Sequence, residues 1–310
     1  MNPNPELNVT EPKQTPEETT PYAQKTFEAA ARIIEQPTEL VEIFEAYQSF
    51  APLVKQLAEQ ITENDDSHIG SGSNSYVYLV EKDSQQYAVR LAKGKNTEQI
   101  AMHTAAAPLA ASLSHVEHIV AASYEDGATV AEVVPGKQMG TLSIQEAQTI
   151  TPDHISEFAY TLKSLHENGI SIDPSKPSNF LYDSIEGFGV VDITTADRNP
   201  QTLSEVLSWG ASILTCTASW FDTKTESDFN RALSYATSSA NNLKIYRDVI
   251  TRIDMSSGQR IVVLGKVNNL INTTDTQVAE YSDVGWVAQA VEEAHRPARE
   301  ISDEEMNSEV

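Results

Sequence analysis

Four polar side chains between Asp173 and Asp192 have the types and spacing that phosphoryl transfer requires. Lys176 and Asn179 lie in the turn-forming segment DPSKPSN, and Asp192 ends the apolar segment that follows. Phosphoryl transfer needs a cation near the phosphate and oxygen ligands for the bridging metal. Lys176 would supply the cation, Asn179 and Asp192 the ligands, and Asp173 would accept the proton of an attacking hydroxyl. The alternative is an ordinary surface loop, because Asp, Ser, Pro and Asn are common turn formers.

This segment resembles the catalytic and metal-binding loops of the protein-kinase-like family, D-x-K-P-x-N followed by D-F-G. The letters KPSN match, and thirteen residues separate Asn179 from Asp192, as is usual in the family. The resemblance implies that Asp173 and Lys176 are catalytic and that Asn179 and Asp192 bind Mg²⁺. Two departures stand out. Asp173 lies six residues before Asn179 instead of five, so Pro174 aligns with the catalytic base, and Ile-Thr replaces Phe-Gly after Asp192.

The segment GSGSNSYV, residues 70–77, resembles the family's glycine-rich loop G-x-G-x-x-G-x-V, with serine in place of the third glycine. Glycine lets backbone N–H groups approach a phosphate without a Cβ in the way. The resemblance implies that Gly70, Gly72 and Ser73 lie over the phosphates of ATP and that Val77 covers the adenine. A Gly/Ser-rich turn before a strand is the alternative.

Tyr87-Ala88-Val89-Arg90 resembles the V-A-I-K of the next family strand. Ala88 would line the adenine pocket, and Arg90 takes the place of the lysine that holds the α- and β-phosphates. Arginine keeps the charge but presents a planar fork instead of a compact ammonium. An exposed arginine at a strand end is the alternative.

The family pairs this cation with a glutamate on the following helix. The segment 112–120, SLSHVEHIV, resembles the junction after that helix and puts the glutamate near residues 106–107. No carboxylate occurs there, and Pro108 would kink the helix. The ion pair is therefore missing or rebuilt from elsewhere, for example with Glu98 or Glu117.

The segment AEVVPG, residues 131–136, resembles the hinge between the two lobes of the family. The resemblance implies that the carbonyl of Glu132 and the N–H of Val134 bind adenine. The alternative is a strand that ends in a Pro-Gly turn. Farther along, SEVLSWG at 204–210 resembles the helix that anchors the large lobe. The short interval between Asp192 and this helix is similar to that of aminoglycoside and sugar kinases, or of a catalytically dead member.

The charge of the chain restricts its partners. Forty-five acidic and 21 basic residues give a net charge of −24. Such a chain repels phosphate backbones and anionic lipid, so we expect no nucleic-acid or membrane binding. The single cysteine, Cys216, lies among apolar residues and is predicted to be a buried, inert thiol in a reducing cytosol. No apolar run approaches the length of a membrane span, and no signal peptide is recognised, so a cytoplasmic protein is expected.

Periodicity divides the chain into five segments. They are a disordered tail (1–21), an N-terminal helical extension (22–64), a small antiparallel β lobe with one helix (65–136), a large, mainly helical lobe (137–297) and an acidic tail (298–310). Strands are predicted at 76–80, 87–91, 118–124 and 129–134, and helices at 23–36, 38–62, 97–113, 153–168, 202–220, 227–241 and 243–254, with one or two more between 277 and 297. The predicted fold is α+β: a bilobal protein-kinase-like domain with an added N-terminal helical pair.

Three hypotheses follow. In the first, the chain is an ATP-dependent phosphotransferase that transfers the γ-phosphate to an unknown small-molecule or protein hydroxyl. In the second, it is a pseudokinase, a nucleotide-binding or protein-interaction module without catalysis. In the third, it is an unrelated α+β protein. The apolar stripes of the N-terminal helices are predicted to dock on the rest of the chain, with self-association or another protein as alternatives.

Overall fold

An antiparallel sheet of five strands forms one part of the α+β fold. The computed structural model describes residues 37–59, 68–71, 75–94, 97–173, 176–196, 200–215 and 226–282. The strands are β1 (His68–Ser71), β2 (Ser75–Lys82), β3 (Gln85–Ala92), β4 (Ile119–Ser123) and β5 (Ala128–Glu132). Their order in the sheet is β1-β2-β3-β5-β4. The four predicted strands are therefore confirmed.

A two-residue turn joins β2 to β3, because Lys82 pairs directly with Gln85. Asp83 and Ser84 both have positive φ, at 54° and 64°. Such a pair forms the hairpin turn whose twist matches the flanking strands. The turn fixes the register, which then continues to the pair Ser75–Ala92.

The N-terminal helices cover one face of this sheet. The predicted helix at 38–62 consists of α1 (Pro37–Ala46), a 3₁₀ turn (Tyr47–Ser49) and α2 (Ala51–Glu59). Their buried side chains share one core with the sheet: Tyr47, Phe50, Val54 and Leu57 from the helices, and Tyr78, Val80, Val89, Leu91, Ala121, Ala128 and Val130 from the strands. The prediction that this stripe docks on the rest of the chain is confirmed. The predicted helix at 23–36 lies outside the described residues.

Helix α3 (Thr97–Ala110) follows β3 and packs on β4 and β5, where Ala107 contacts Ile119 and Ala131. It continues two residues past Pro108, so the proline does not end it. Pro108 lies in the last turn, where the loss of one intrahelical hydrogen bond leaves the preceding turns intact.

The second part of the molecule is mainly helical and has its own core. Its elements are β6 (Lys137–Gln138), α4 (Ile144–Ala147), α5 (Pro152–Glu167), β7 (Ile170–Ser171), β8 (Phe180–Asp183), β9 (Gly187–Val190), β10 (Thr194–Thr195), α6 (Leu203–Ile213), α7 (Glu226–Ile250) and α8 (Ser257–Ser282). Helix α5 agrees with the helix predicted at 153–168. The helix predicted at 202–220 is only partly correct, because α6 ends at Ile213 and a turn follows. Residues 216–220, including Cys216, lie outside the described part.

Two helix predictions are wrong. The helices expected at 227–241 and 243–254 form one continuous helix, α7, because no proline or glycine separates them. Helix α8 begins at Ser257, not at 277. Its core side chains Val263, Val267 and Ile271 recur every four residues, a helical spacing that the prediction overlooked.

Gly136 makes the turn between the two parts. Its φ is +113°, and a Cβ built on it would lie 2.6 Å from the carbonyl carbon of Tyr182. Only glycine tolerates both this conformation and this approach. The chain therefore passes directly over β8 as it leaves the sheet. The predicted boundary at 136–137 falls in this turn.

Among the described helices, none combines the length and the apolar character needed to cross a bilayer.

Candidate functional site

The β8–β9 hairpin places Asn179 and Asp192 at one end. Phe180 pairs with Val190 in the hairpin, and the N–H of Val191 donates to the carbonyl of Asn179 at 2.9 Å. Asn179 therefore immediately precedes the hairpin, and Asp192 follows its other strand. The thirteen-residue interval noted in the sequence is the length of this hairpin with its flanking residues.

Asp192 has an unusual backbone conformation, with φ at +63°. Positive φ is uncommon outside glycine, and asparagine and aspartate tolerate it best. The N–H of Asp192 donates to Oε2 of Glu117 at 2.8 Å. Residues held in such conformations by their surroundings are concentrated at functional sites.

Arg90 projects from β3 to this carboxylate. Its Nη1 lies 3.0 Å from Oδ1 of Asp192, and its Nη2 lies 3.3 Å from Oε1 of Glu117. Arg90 is only 7% exposed, so the interpretation of it as an exposed strand-end residue is wrong. A buried guanidinium requires such partners, because an unpaired charge is costly in a protein interior.

Glu117 supplies the carboxylate partner of Arg90 that the sequence lacks near residues 106–107. It is one of the two residues suggested to rebuild the ion pair; the side chain of the other, Glu98, lies outside the described residues. The N–H of Glu117 donates to the carbonyl of Val190 at 2.9 Å. The N–H of Val190 donates to the carbonyl of His115 at 2.8 Å. The carboxylate therefore comes from a loop bonded to β9 and not from helix α3.

His103 on α3 completes the cluster and was not predicted. It is 2% exposed, and its Nδ1 lies 2.9 Å from the carbonyl of Ile193. Its Nε2 lies 3.3 Å from Oδ1 of Asp192, and Nη1 of Arg90 lies 3.0 Å from both ring nitrogens. The only sequence signal was an isolated histidine within the small, apolar segment IAMHTAAAP of a predicted helix.

Burial and the neighbouring Arg90 charge lower the pKa of His103 to about 4, although Asp192 and Glu117 act in the opposite direction. The imidazole is therefore neutral near pH 7. Since Nδ1 faces a carbonyl, the proton resides on Nδ1 and is donated to Ile193.

The carboxyl of Asp192 is ionised. Burial raises its pKa, but the positive charge of Arg90 outweighs burial. His103, at the low pH where it is itself protonated, and Lys176 add to this effect, so the pKa of Asp192 lies below its usual value. Arg90 and His103 both contact Oδ1 of Asp192, and neither of these contacts uses Oδ2.

Lys176 and Asp173 form an ion pair near Asp192. Nζ of Lys176 is 3.3 Å from Oδ2 of Asp173, both side chains are about half exposed, and the charges of both act on Asp192. Asn179 is 4% exposed and donates from Nδ2 to the carbonyl of Asp173 at 3.4 Å. Residue 174 lies outside the described residues, so the predicted place of Pro174 stays a prediction.

Three of the predicted nucleotide-binding residues share one face of the sheet. Val77 pairs directly with Arg90, and Ala88 lies two residues before Arg90 on the same strand. Directly paired residues, and residues two apart, point to the same side of a sheet. Gly70 pairs with Val77, whereas Gly72 and Ser73 lie outside the described residues.

The predicted hinge residues lie where the sheet meets the hairpin. Glu132 ends β5, and its Oε2 lies 3.4 Å from Nδ1 of His118. Val134 packs against Gly189 of β9 so closely that a Cβ on this glycine would lie 2.3 Å from Cγ1 of Val134. The segment therefore leads directly to the strands that carry Asn179 and Asp192.

The donors at the hairpin end suit a magnesium ion. Mg²⁺ is usually held by one or two carboxylates together with substrate phosphates and water. An amide oxygen from Asn179 and the ionised carboxylate of Asp192 fit this requirement. No group of three or more His, Cys, Asp or Glu side chains that could hold a metal occurs among the described residues. The described residues therefore contain no metal site built from three or more such side chains.

No family model matches the chain, and no curated protein matches it at a significant level.

Proposed function

We propose that the protein is a magnesium-dependent, ATP-dependent phosphotransferase with a bilobal, protein-kinase-like fold. One observation carries the proposal: Lys176, Asn179 and Asp192 come together at the end of the β8–β9 hairpin, opposite Arg90 on the sheet. Phosphoryl transfer depends on positioning and electrostatics more than on covalent catalysis, and this set supplies cations, metal ligands and a carboxylate.

The nucleotide would bind between the sheet and the hairpin. Val77 and Ala88, on the face that carries Arg90, would contact the base, and the carbonyl of Glu132 and the N–H of Val134 would bind its edge. Gly70, Gly72 and Ser73 would cover the phosphates with backbone N–H groups. Because Val77 and Ala88 share the face that bears Arg90, one extended ligand can contact all three residues.

Asn179 and Asp192 would hold Mg²⁺, which when bound neutralises charge on the phosphate oxygens. Arg90 would hold the α- and β-phosphates, and Lys176 would keep positive charge beside the transferred group. The acceptor hydroxyl forms a bond to the γ-phosphorus, the bond from that phosphorus to the bridging oxygen breaks, and ADP leaves. Asp173 takes the hydroxyl proton.

The Asp173–Lys176 ion pair supports these roles. Both side chains are about half exposed, and both influence the ionisation of Asp192. An exposed ion pair contributes little to stability, about 0–1 kcal/mol, so it exchanges partners at low cost. Lys176 can therefore turn to a phosphate while Asp173 turns to the acceptor.

A second candidate function is a pseudokinase, a binding module without catalysis. The observation that favours it is the contact of 3.0 Å between Arg90 and Asp192. The predicted phosphate-binding cation and the predicted metal ligand neutralise each other in the protein alone. Such a pair is stable without metal, so a fold that binds nucleotide weakly or not at all would retain it.

Calorimetric titration with ATP, with magnesium and with EDTA, separates these functions. The phosphotransferase proposal predicts binding that strengthens with magnesium, and slow ATP turnover that a suitable hydroxyl acceptor accelerates. Binding that is equal under both conditions, without turnover, would support the binding module. No binding under either condition would reject the phosphotransferase and would leave a binding module that does not use nucleotide.

A further inference from the structure

The imidazole of His103 links helix α3 to the loop that carries Asp192. Its Nδ1–H donates to the carbonyl of Ile193 at 2.9 Å, and the Ile193 side chain is fully buried. Helix α3 also packs on β10, which begins at Thr194. The buried side chain of His103 thus connects the backbone at Ile193 to helix α3, which packs on the five-stranded sheet.

The backbone of this loop is held on both sides of the Asp192–Ile193 peptide. Glu117 accepts the N–H of Asp192 at 2.8 Å, and His103 binds the carbonyl of Ile193. Asp192 itself has positive φ. A residue in this region persists only where its surroundings over-determine it, and the two hydrogen bonds provide that restraint.

We propose that His103 is a positioning residue for Asp192: by holding the carbonyl of Ile193, it fixes the backbone that aims the Asp192 carboxylate at the metal and nucleotide. It acts through the main chain and does not touch substrate. Its consequence for metal-dependent binding rests on the proposed function, whereas its effect on the loop does not.

The hydrogen bond of Nδ1 distinguishes this role from simple filling of space. Nε2 faces Arg90 and Asp192, which already bind each other at 3.0 Å. The carbonyl of Ile193 receives its side-chain hydrogen bond from Nδ1. The positioning effect therefore depends on one ring nitrogen and not on the other.

Two substitutions separate the two nitrogens. In His103→Asn the amide nitrogen takes the place of Nδ1 and can donate to the Ile193 carbonyl. In His103→Gln the amide nitrogen takes the place of Nε2 and leaves that carbonyl unpaired. A matched control is Thr104→Val, on the next residue of the same helix. Thr104 is also buried, and its hydroxyl donates only to the helix carbonyl of Ile100, at 2.6 Å.

The first measurement is hydrogen exchange of the segment 188–196 in the protein without ligand. One lost hydrogen bond corresponds to an increase of about tenfold in local opening. We expect this increase in His103→Gln, and exchange close to wild type in His103→Asn and Thr104→Val. Equal exchange in the Asn and Gln variants would overturn the proposal. Thermal unfolding shows which variants are folded, and fast exchange in a stable Asn variant would also overturn it.

The second measurement is the ratio of ATP affinity with magnesium to that with EDTA. We expect His103→Gln to lose most of this ratio and His103→Asn to retain it, with affinity in EDTA similar in both. Faster hydrogen exchange in His103→Gln with an unchanged affinity ratio would show that His103 has a purely structural role. That result would overturn the proposal that it positions Asp192 for metal binding. If wild type itself shows no magnesium effect, the proposed function fails, and the exchange experiment still decides whether His103 positions the loop.

Discussion

Nη1 of Arg90 lies 3.0 Å from Oδ1 of Asp192, although Arg90 belongs to the five-stranded sheet and Asp192 follows the hairpin of the helical part. This contact makes the two parts of the molecule share one charge cluster. Because Glu117 also binds Nη2 of Arg90 and the N–H of Asp192, the three residues are held as a unit. Each of them is therefore a target for substitution.

We predict that Asp192→Asn weakens binding of Mg-ATP much more than binding of ATP in EDTA. The amide keeps the size of the side chain but loses the negative charge that a hard cation prefers. Calorimetric titration under both conditions measures the difference.

Asp183→Asn is the matched control, because Asp183 ends β8 at the opposite end of the same hairpin and accepts hydrogen bonds from the N–H groups of Ile185 and Glu186. Equal losses for Asp192→Asn with magnesium and with EDTA would contradict a metal-binding role.

Substitution of Arg90 tests its role in phosphate binding. We predict that Arg90→Lys preserves or improves nucleotide affinity, and that Arg90→Ala loses about 1.5–3 kcal/mol of binding free energy, the contribution of a charged hydrogen bond. Arg90→Ala also removes the buried cation that pairs with Glu117 and Asp192, so we expect it to reduce the free energy of unfolding by about 3–5 kcal/mol.

Lys82→Ala serves as the control for net charge, because Lys82 lies at the far end of β2, next to the β2–β3 turn. Calorimetric titrations at a temperature where every variant is folded give the nucleotide affinities. Denaturant unfolding curves give the free energies of unfolding. If neither Arg90 variant changes the affinity, Arg90 has a structural role only.

Asp173→Ala tests the general base. We expect turnover to fall by roughly 10²–10⁴-fold, the usual contribution of general acid–base catalysis, with little change in Mg-ATP affinity. Asp173→Asn keeps a hydrogen-bond acceptor for Lys176 while removing the basic carboxylate, so it should lose as much turnover as alanine. Turnover that survives in either variant would show that the proton goes elsewhere and would favour the binding module.

Much of this architecture follows from short-range patterns in the sequence. The alternation in β2 and β3 and the two-residue turn between them define the sheet, and the interval from Asn179 to Asp192 matches the hairpin. The start of α8 was missed because Ile261 and Val262, on its exposed side, obscure the core spacing. His103 could not be assigned, because its partners lie 13 and roughly 90 residues away, beyond any local pattern.

The docking of α2 on the sheet can be tested by stability. Leu57 is buried against the sheet, so we predict that Leu57→Ala lowers the free energy of unfolding by about 2–5 kcal/mol. Gln56 is exposed on the same helix, and Gln56→Ala is expected to change the stability by about 0.5 kcal/mol or less. Denaturant unfolding of both variants measures the difference. Equal, small effects would mean that the helix contributes little to the sheet.

The helices before β1 also determine how the protein can be shortened. A recombinant fragment that starts at residue 65 would expose Val89, Leu91 and Val130 to water, because these side chains meet the N-terminal helices. A contiguous apolar patch of this kind promotes aggregation. A shortened protein should therefore keep the helices from Pro37 onward, because their side chains complete the core on this face of the sheet.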